Sequence, residues 1–356
     1  MTSHLTYAAT KDSGVSFAAL HERYHNALHD TLLTAVPGTG PMTVLTRYQM
    51  GWVDQNGVPT NGGSHHGKAL RPTLCLAVCE AAGGDWHRAL PCAAALEIIH
   101  NFSLVHDDIQ DGDTERRHRP TVWFLWGKRK GLMAGNGLLA HAMKTVNCLD
   151  THGFSAQTQL RATAILSERC LQMIEGQYLD LSYEERLDIG VHGYIEMVKR
   201  KTGALLQGAA ELGALMAECN DNTVGQMGRF GLFLGVAFQI RDDILGIWGD
   251  ASVTGKAAGN DIWRRKKSYP IVFALANVEG AAKQQMQNMY LKPEIEGGDV
   301  EHVLSILENV GARERSQALA EQLAQDALKE LEPVTISKWG RETLEGLVHF
   351  LVNRDH

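Results

Sequence analysis

The chain has 356 residues, a formal net charge of −7 and 44% hydrophobic residues. This length permits two domains or one large helical domain, and the mild negative net charge gives no sign of a nucleic-acid-binding protein. Its six cysteines form no paired Cys/His cluster, which predicts reduced, mostly buried thiols. Reduced cysteines lead us to expect a cytoplasmic protein. No signal peptide is recognised at the start of the sequence, and no apolar run is long enough to span a membrane.

The amino-terminal part predicts a polar tail, a helix and a basic loop. Residues 1–16 are polar, and we expect a flexible tail there, followed by a helix over Phe17–Leu33. Lys68 and Arg71 flank the start of a helix that is predicted to begin at Pro72. Helix N-termini attract phosphate and these side chains add full charges, although a solvated helix start is the alternative interpretation.

The next apolar run predicts a long buried helix that ends in carboxylates. Apolar residues recur at helical spacing from Leu90 to Val105. Asp107 and Asp111 follow one turn apart, so both can bind the same cation, and Asp108 lies beside them. Carboxylate oxygens suit Mg²⁺, which takes further ligands from substrate phosphates. A polar helix end is the alternative, but acidic residues at a helix C-terminus oppose the helix dipole.

A second acidic stretch follows two more predicted helices. These helices cover about 155–183 and 193–219, and the second is interrupted at Lys201–Gly203 because a glycine disfavours a helix interior. The apolar run that follows leads into Asp242 and Asp243, which repeats the design of the first acidic stretch. Two such stretches on separate helices indicate a multi-metal diphosphate site.

The carboxy-terminal part predicts a lid and a set of covering helices. Residues 249–261 are rich in glycine and other small residues, so we expect a loop that closes over the site. Gly297 and Gly298 are expected in a surface turn. Amphipathic helices are predicted over 271–278, 300–307, 312–331 and 341–351.

The motifs in the middle of the chain occur in a characteristic order. They are Gly67–Pro72, Asp107–Asp111 with Arg116-Arg117, Gly176-Gln177, Lys201-Thr202, Gln239–Asp243, and Thr254–Lys256 with Asp261 and Lys266. As a set they resemble the motifs of trans-isoprenyl diphosphate synthases, the polyprenyl synthetase family. The resemblance implies an all-α fold: one large helical bundle of the isoprenoid synthase type over residues 1–356, with a central active-site cavity. It also implies a homodimer.

The resemblance further implies a prenyltransferase that condenses isopentenyl diphosphate with allylic diphosphates, head to tail and with trans geometry. Three Mg²⁺ ions, with Mn²⁺ as an alternative, would be held by Asp107, Asp111 and Asp242. The residues expected in catalysis are Asp107, Asp108, Asp111, Lys201, Thr202, Gln239, Asp242 and Lys256. The residues expected to bind substrate are Lys68, Arg71, His100, Arg116, Arg117, Gln177 and Lys266, with Lys68, Arg71, His100 and Arg117 at the isopentenyl diphosphate and Arg116 at the allylic one.

Product length is expected to depend on the helix below Asp107. At about 1.5 Å rise per residue, Ser103 lies roughly 6 Å, Phe102 roughly 7.5 Å and Ile99 roughly 12 Å below it. A small Ser103 above an aromatic Phe102 resembles geranylgeranyl synthases, so we expect a C20 product. Farnesyl (C15) or longer products are the alternatives, and Phe102 simply packing against a neighbouring helix is another.

Two other classes of protein share part of this pattern. A class I terpene cyclase would have the fold and one aspartate motif, but would not need Lys68, Arg71 and His100 for a second diphosphate. A non-catalytic partner subunit would usually lack aspartates of the first motif, and this chain keeps them. One departure from the family pattern is Gly246, which stands where a third aspartate of the second motif is often found.

Overall fold

Helices account for most of the chain that the structure describes, which confirms the all-α prediction. The computed structural model describes residues 16–60, 69–249, 259–292 and 294–353. Within those ranges the only paired strands form a two-residue hairpin, in which Glu115–Arg116 (β1) lies antiparallel to Arg119–Pro120 (β2). Residues 1–15 of the predicted tail, residues 250–258 of the predicted lid, and the predicted site residues Lys68 and Lys256 lie outside the described residues. Ser16, also assigned to the tail, caps the first helix.

The helices are numbered here in chain order. They are α1 (Phe17–Ala35), α2 (Thr43–Gln49), α3 (Leu70–Ala81), α4 (Leu90–Asp111), α5 (Val122–Trp126), α6 (Lys128–Val146), α7 (Ala156–Tyr183), α8 (Val191–Val198), α9 (Ala204–Met216), α10 (Asp221–Trp248), α11 (Asn260–Trp263), α12 (Tyr269–Asn277), α13 (Gly280–Leu291), α14 (Gly297–Asn309), α15 (Ala312–Leu331) and α16 (Lys338–Asn353). Two 3₁₀ turns, Trp86–Ala89 and Leu149–His152, and a π-helical turn, Lys199–Gly203, lie between them.

Helix α4 carries the first acidic motif inside its last two turns. Pro91 stands in the first turn, where a missing N–H costs nothing, and Gly112 ends the helix in the left-handed conformation with φ of 70°. All residues over Leu90–Ile99 are buried. The helix therefore crosses the core and brings a partly buried Asp107 and an exposed Asp111 to its edge.

Helices α4 and α10 are the long buried helices around which the others pack. Helix α4 packs against α3 and α6, and α10 packs along α9 and α15. Buried apolar residues from Leu20 in α1 to Leu351 in α16 belong to one continuous cluster, and a smaller cluster lies among α11–α14. A core shared by both ends of the chain fits the single-domain arrangement, which stays a prediction. No helix in the described ranges is long and apolar enough to cross a membrane.

Some predicted elements differ from the structure. The helix predicted over 193–219 is divided into α8, the π-helical turn and α9, and the predicted interruption is confirmed as that turn. The surface turn predicted at Gly297–Gly298 is wrong, because both residues belong to α14. The side chains of Glu296 and Asp299 cap that helix reciprocally, which stabilises a helix start despite the glycines. Helix α13 was not predicted, since its sequence lacks a clear apolar period.

Candidate active site

Asp107 sits at the centre of an unbalanced cluster of charges. Burial raises the pKa of its carboxyl group to about 6; Lys201 opposes this shift, while Asp111 and Asp108 add to it. Asp111, one turn further along α4, also interacts with Lys201. The two carboxylates thus face one ammonium group, and an added cation would relieve their repulsion.

Asp108 has a different environment from Asp107 and Asp111. Its side chain is buried, and the Arg116 Nε–H donates to its Oδ1 at 2.5 Å. Residues adjacent on a helix point about 100° apart, so Asp108 faces the β1–β2 hairpin instead of Lys201. The structure therefore places Asp108 as the group that fixes Arg116, and its predicted part in catalysis would act through that arginine.

A basic pocket lies beside the first acidic motif, on the side of α3. Arg71 and Arg117 both act on the buried carboxyl group of Glu97. Burial raises the pKa of this group, and the two arginines only partly offset the rise. The pKa of His100 is held well below its usual value by burial and by the nearby arginines, so its imidazole is neutral. Among the described residues, the buried Arg71 Nε–H has no hydrogen-bond acceptor. A buried Arg71 donor without an acceptor, with the Arg117 guanidinium nearby, fits an anionic ligand.

The π-helical turn positions Lys201 and Thr202. Gly176 of α7 faces this turn, and a Cβ at Gly176 would lie only 2.1 Å from the Lys201 backbone nitrogen. The Lys201 ammonium pairs with Asp180, also on α7. Because π-turns occur often at functional sites, this local change of helix period, held against a glycine, marks Lys201 and Thr202 as positioned residues.

A hydrogen-bonded chain connects the π-helical turn with α10. Thr202 Oγ1 donates to Gln239 Oε1 at 2.8 Å, and Gln239 Nε2 donates to Asp243 Oδ1 at 3.1 Å. Asp243 is fully buried and also accepts from the Tyr194 hydroxyl and from the Tyr269 backbone N–H at 2.9 Å. Asp243 is therefore a fixed internal anion that orients the Gln239 amide.

Asp242 of α10 and Lys266, in the segment after α11, complete the site. Asp242 is partly buried, and its charge acts on both Arg71 and Lys266. The Lys266 ammonium lies 3.3 Å from Asp243 Oδ1. The charge of Asp242 on α10 thus acts on the basic pocket beside α4. Its predicted metal site shared with Asp107 and Asp111 stays a prediction.

Gln177 contacts the end of α4, and the proposed product-length residues lie further down the same helix. Gln177 Nε2 donates to Gln110 Oε1 at 3.0 Å, which bridges α7 to the end of α4. Ser103 donates to the His100 carbonyl oxygen at 2.8 Å. Phe102 is buried and meets His106 edge to face, with 4.9 Å between ring centroids, while Ile99 is fully buried.

Several site residues were not predicted from the sequence. Tyr194 and Glu97 contribute buried polar groups, and Asp113 forms an ion pair with Arg264, which joins the loop after α4 to the segment after α11. These contacts join residues that are far apart in the sequence. No spacing rule could have found them, although a glutamate in an apolar helix is a signal worth following.

The polyprenyl synthetase family model matches residues 60–307 of the chain. The chain belongs to the polyprenyl synthetase family. It is 34% identical to (2E,6E)-farnesyl diphosphate synthase of Mycobacterium tuberculosis (strain ATCC 25618 / H37Rv) over 336 residues, which cover 93% of this chain and 91% of that one. It is 37% identical to geranylgeranyl diphosphate synthase of the same organism over 292 residues, which cover 82% and 81% of the two chains.

Solved structures of polyprenyl synthetase family members show the same fold. A polyprenyl synthetase from Streptomyces coelicolor A3(2) superposes with a TM-score of 0.87 at 34% identity, covering 95% of this chain and 100% of that chain. A geranylgeranyl pyrophosphate synthetase from Pyrococcus horikoshii Ot3 superposes with a TM-score of 0.85 at 30% identity, covering 95% and 98%. The helical bundle of the isoprenoid synthase type, expected from the resemblance, is thereby confirmed for this chain.

Proposed function

We propose that this protein is a Mg²⁺-dependent trans-prenyltransferase that condenses isopentenyl diphosphate with an allylic diphosphate. The observation that carries the proposal is the presence of two sites side by side, one that could hold metal ions and one that could hold an anion. One is formed by the carboxylates of Asp107 and Asp111 beside Lys201, and these carboxylates could bind metal ions. The other is the basic pocket of Arg71 and Arg117. The relatives that share the fold are diphosphate synthases by name.

The donor set fits a divalent cation that is shared with a phosphate ligand. Within the described ranges, no three His, Cys, Asp or Glu side chains converge closely enough to hold a metal by themselves. Mg²⁺ commonly takes one or two protein carboxylates and completes its shell with water and substrate phosphates. Asp107, Asp111 and Asp242 would hold the ions. Three Mg²⁺ ions are expected, and Mn²⁺ could replace them. Bound Mg²⁺ would neutralise the diphosphate leaving group and so favour ionisation of the allylic C–O bond.

The protein's own groups would bind the allylic substrate and stabilise the positive charge that develops on it. Lys201, Lys256 and Lys266 would pair with diphosphate oxygens, and Arg116, fixed by Asp108, would bind the same group. The Gln239 amide is oriented by Thr202 and Asp243, so its dipole would stabilise an allylic cation without capturing it.

The basic pocket would hold the second substrate. Arg71, Arg117 and the neutral His100 would bind the isopentenyl diphosphate together with Lys68, and the carbon–carbon double bond would then attack C1 of the allylic cation. A neutral imidazole still donates one hydrogen bond to phosphate and adds no charge to the arginines around it. The final proton would pass to an oxygen of the released diphosphate.

A short-chain product is the finer part of the proposal, with C20 preferred and C15 as the alternative. The small side chain of Ser103 would leave space beneath Asp107 for the growing chain, whereas Phe102 packs edge to face against His106. His106 in turn lies against Gly135 of α6, where a Cβ would come within 2.3 Å of its Nε2. Phe102 is thus a fixed side chain that would limit the length of the growing chain, with Ile99 below it.

A homodimer is proposed from the exposed apolar surface of α7. Leu160, Leu171, Ile174 and Tyr178 are all exposed, and at 100° per residue they share one face of the helix. Leu132 and Met133 of α6 are exposed as well. Exposed apolar residues aligned in this way indicate a protein interface. We expect light scattering to give twice the mass of one chain, and Leu171→Glu to give a monomer.

The decisive experiment for the activity supplies purified protein with isopentenyl diphosphate, each allylic diphosphate and Mg²⁺, and sizes the products. Asp107→Ala and Asp242→Ala should each lower turnover by orders of magnitude and keep the helical circular dichroism spectrum. Wild-type turnover of Asp107→Ala at saturating Mg²⁺ would contradict the assignment. A terpene cyclase would consume the allylic substrate alone, and a partner subunit would show no activity by itself.

A further inference from the structure

Gly246 of α10 has no room for a side chain. It lies one helical turn after Asp242, and a Cβ there would be 2.4 Å from Asp261 Oδ2 and 2.5 Å from its Cγ. Real side-chain carbons do not approach a carboxyl group this closely. The space beside Gly246 is therefore filled by the carboxyl group of another residue, Asp261.

Asp261 is placed there by a short segment that folds back on the end of α10. The Gly259 backbone N–H donates to the Ile247 carbonyl oxygen at 3.1 Å, and Gly259 has φ of 72°, which favours glycine. Asp261 follows in the first turn of α11 and is buried, 7% exposed. Its carbonyl oxygen accepts from the Lys266 backbone N–H at 2.8 Å, so Asp261 and Lys266 are held together.

Lys266 lies between two carboxylates. Its ammonium is 3.3 Å from Asp243 Oδ1 and 3.6 Å from Asp261 Oδ2. Asp243 is fully buried and already accepts hydrogen bonds from Tyr194, Tyr269 and Gln239. The oxygen nearest Lys266, Oδ1, is therefore shared with the Gln239 amide. Asp261 supplies the second anion, and the Lys266 side chain remains 42% exposed, open to a ligand in the site.

We propose that Gly246 and Asp261 form a complementary pair that positions Lys266 for the allylic diphosphate. The missing side chain at Gly246 lets the Asp261 carboxylate reach α10, and Asp261 with Asp243 fixes the Lys266 ammonium beside Asp242. Both are positioning residues that act through Lys266. This role rests on the proposed prenyl transfer, whereas the steric complementarity of Gly246 and Asp261 does not.

The test is a double-mutant cycle with Gly246→Ala, Asp261→Gly and the double variant. Gly225→Ala is the matched control, because Gly225 lies in the same helix and its Cβ would meet nothing closer than 3.8 Å. We expect Gly246→Ala to lower Tm while Gly225→Ala does not. In the Asp261→Gly background, Gly246→Ala should no longer lower Tm, because alanine favours a helix over glycine once the clash is gone.

A kinetic readout separates positioning from mere packing. Gly246→Ala and the charge-removing Asp261→Asn should lower kcat/KM for the allylic diphosphate by about 10- to 100-fold, the effect of one charge-assisted hydrogen bond. KM for isopentenyl diphosphate should stay within about twofold, since the basic pocket around Arg71 is untouched. Equal losses for both substrates, or none, would overturn the positioning role.

Failure of the pair and failure of the proposed function are distinguishable. An equal fall in Tm for Gly246→Ala with and without Asp261, or wild-type behaviour of Gly246→Ala in both assays, would overturn the pair. If wild-type protein forms no prenyl product, the activity is wrong, and the melting cycle still decides whether Gly246 and Asp261 depend on each other.

Discussion

Replacing Asp107 by asparagine should stabilise the metal-free protein while it abolishes activity. Burial raises the pKa of Asp107 to about 6, whereas an unfolded aspartate titrates near 3.9. A shift of about two units corresponds to about 3 kcal/mol, and solvent screening at this partly exposed site reduces it to about 1–2 kcal/mol. At pH 7.5 the wild-type fold carries this cost and Asp107→Asn does not.

The sign follows from proton binding. Because the folded-state pKa is raised, the folded protein binds more protons than the unfolded chain between about pH 4 and pH 6, and stability falls as pH rises through that window. The advantage of Asp107→Asn should be complete above pH 6 and should vanish near pH 4. Mg²⁺ with inorganic diphosphate should reverse the order, because these ligands stabilise the wild type more than the variant.

Thermal melting in EDTA at pH 7.5 measures the effect, which should be a rise of about 1–3 °C in Tm. Asp188→Asn is the control with the opposite sign, since a hydrogen bond from Arg186 lowers the pKa of exposed Asp188. The reasoning is refuted if Asp107→Asn, with an unchanged circular dichroism spectrum, melts at or below the wild-type temperature in EDTA.

Three further predictions address the substrates, the product and the π-helical turn. Lys68→Ala and Arg71→Ala should raise KM for isopentenyl diphosphate by about 10- to 100-fold with little change for the allylic substrate in steady-state assays, and equal effects would contradict two separate sites. Phe102→Ala should lengthen the product and Ser103→Phe should shorten it to C15, as chromatography of dephosphorylated products will show; an unchanged distribution would place the limit elsewhere. Gly176→Ala should lower kcat at least tenfold, because its Cβ would lie 2.1 Å from the backbone of the turn; wild-type kcat would show that the turn can shift freely.

The sequence alone determined the fold class and the two acidic motifs. Both depend on short-range patterns: apolar residues at helical spacing form the buried helices, and Asp107 and Asp111, one turn apart, must share a face of α4. The glycine in Lys201–Gly203 marked the change of helix period for a similarly local reason. The start of α14 was missed at Gly297–Gly298, because its stabilising cap depends on side chains and outweighs the low helix propensity of glycine.

Only the tertiary structure decided what each member of a motif does. Asp107 and Asp108 are adjacent in sequence, yet one faces Lys201 and the other binds Arg116. Asp243 repeats the acidic pattern next to Asp242, and hydrogen bonds from distant helices make it an internal anchor. Such roles depend on which donors folding brings within about 3 Å, and residues far apart in the chain meet there without leaving any regular spacing in the sequence.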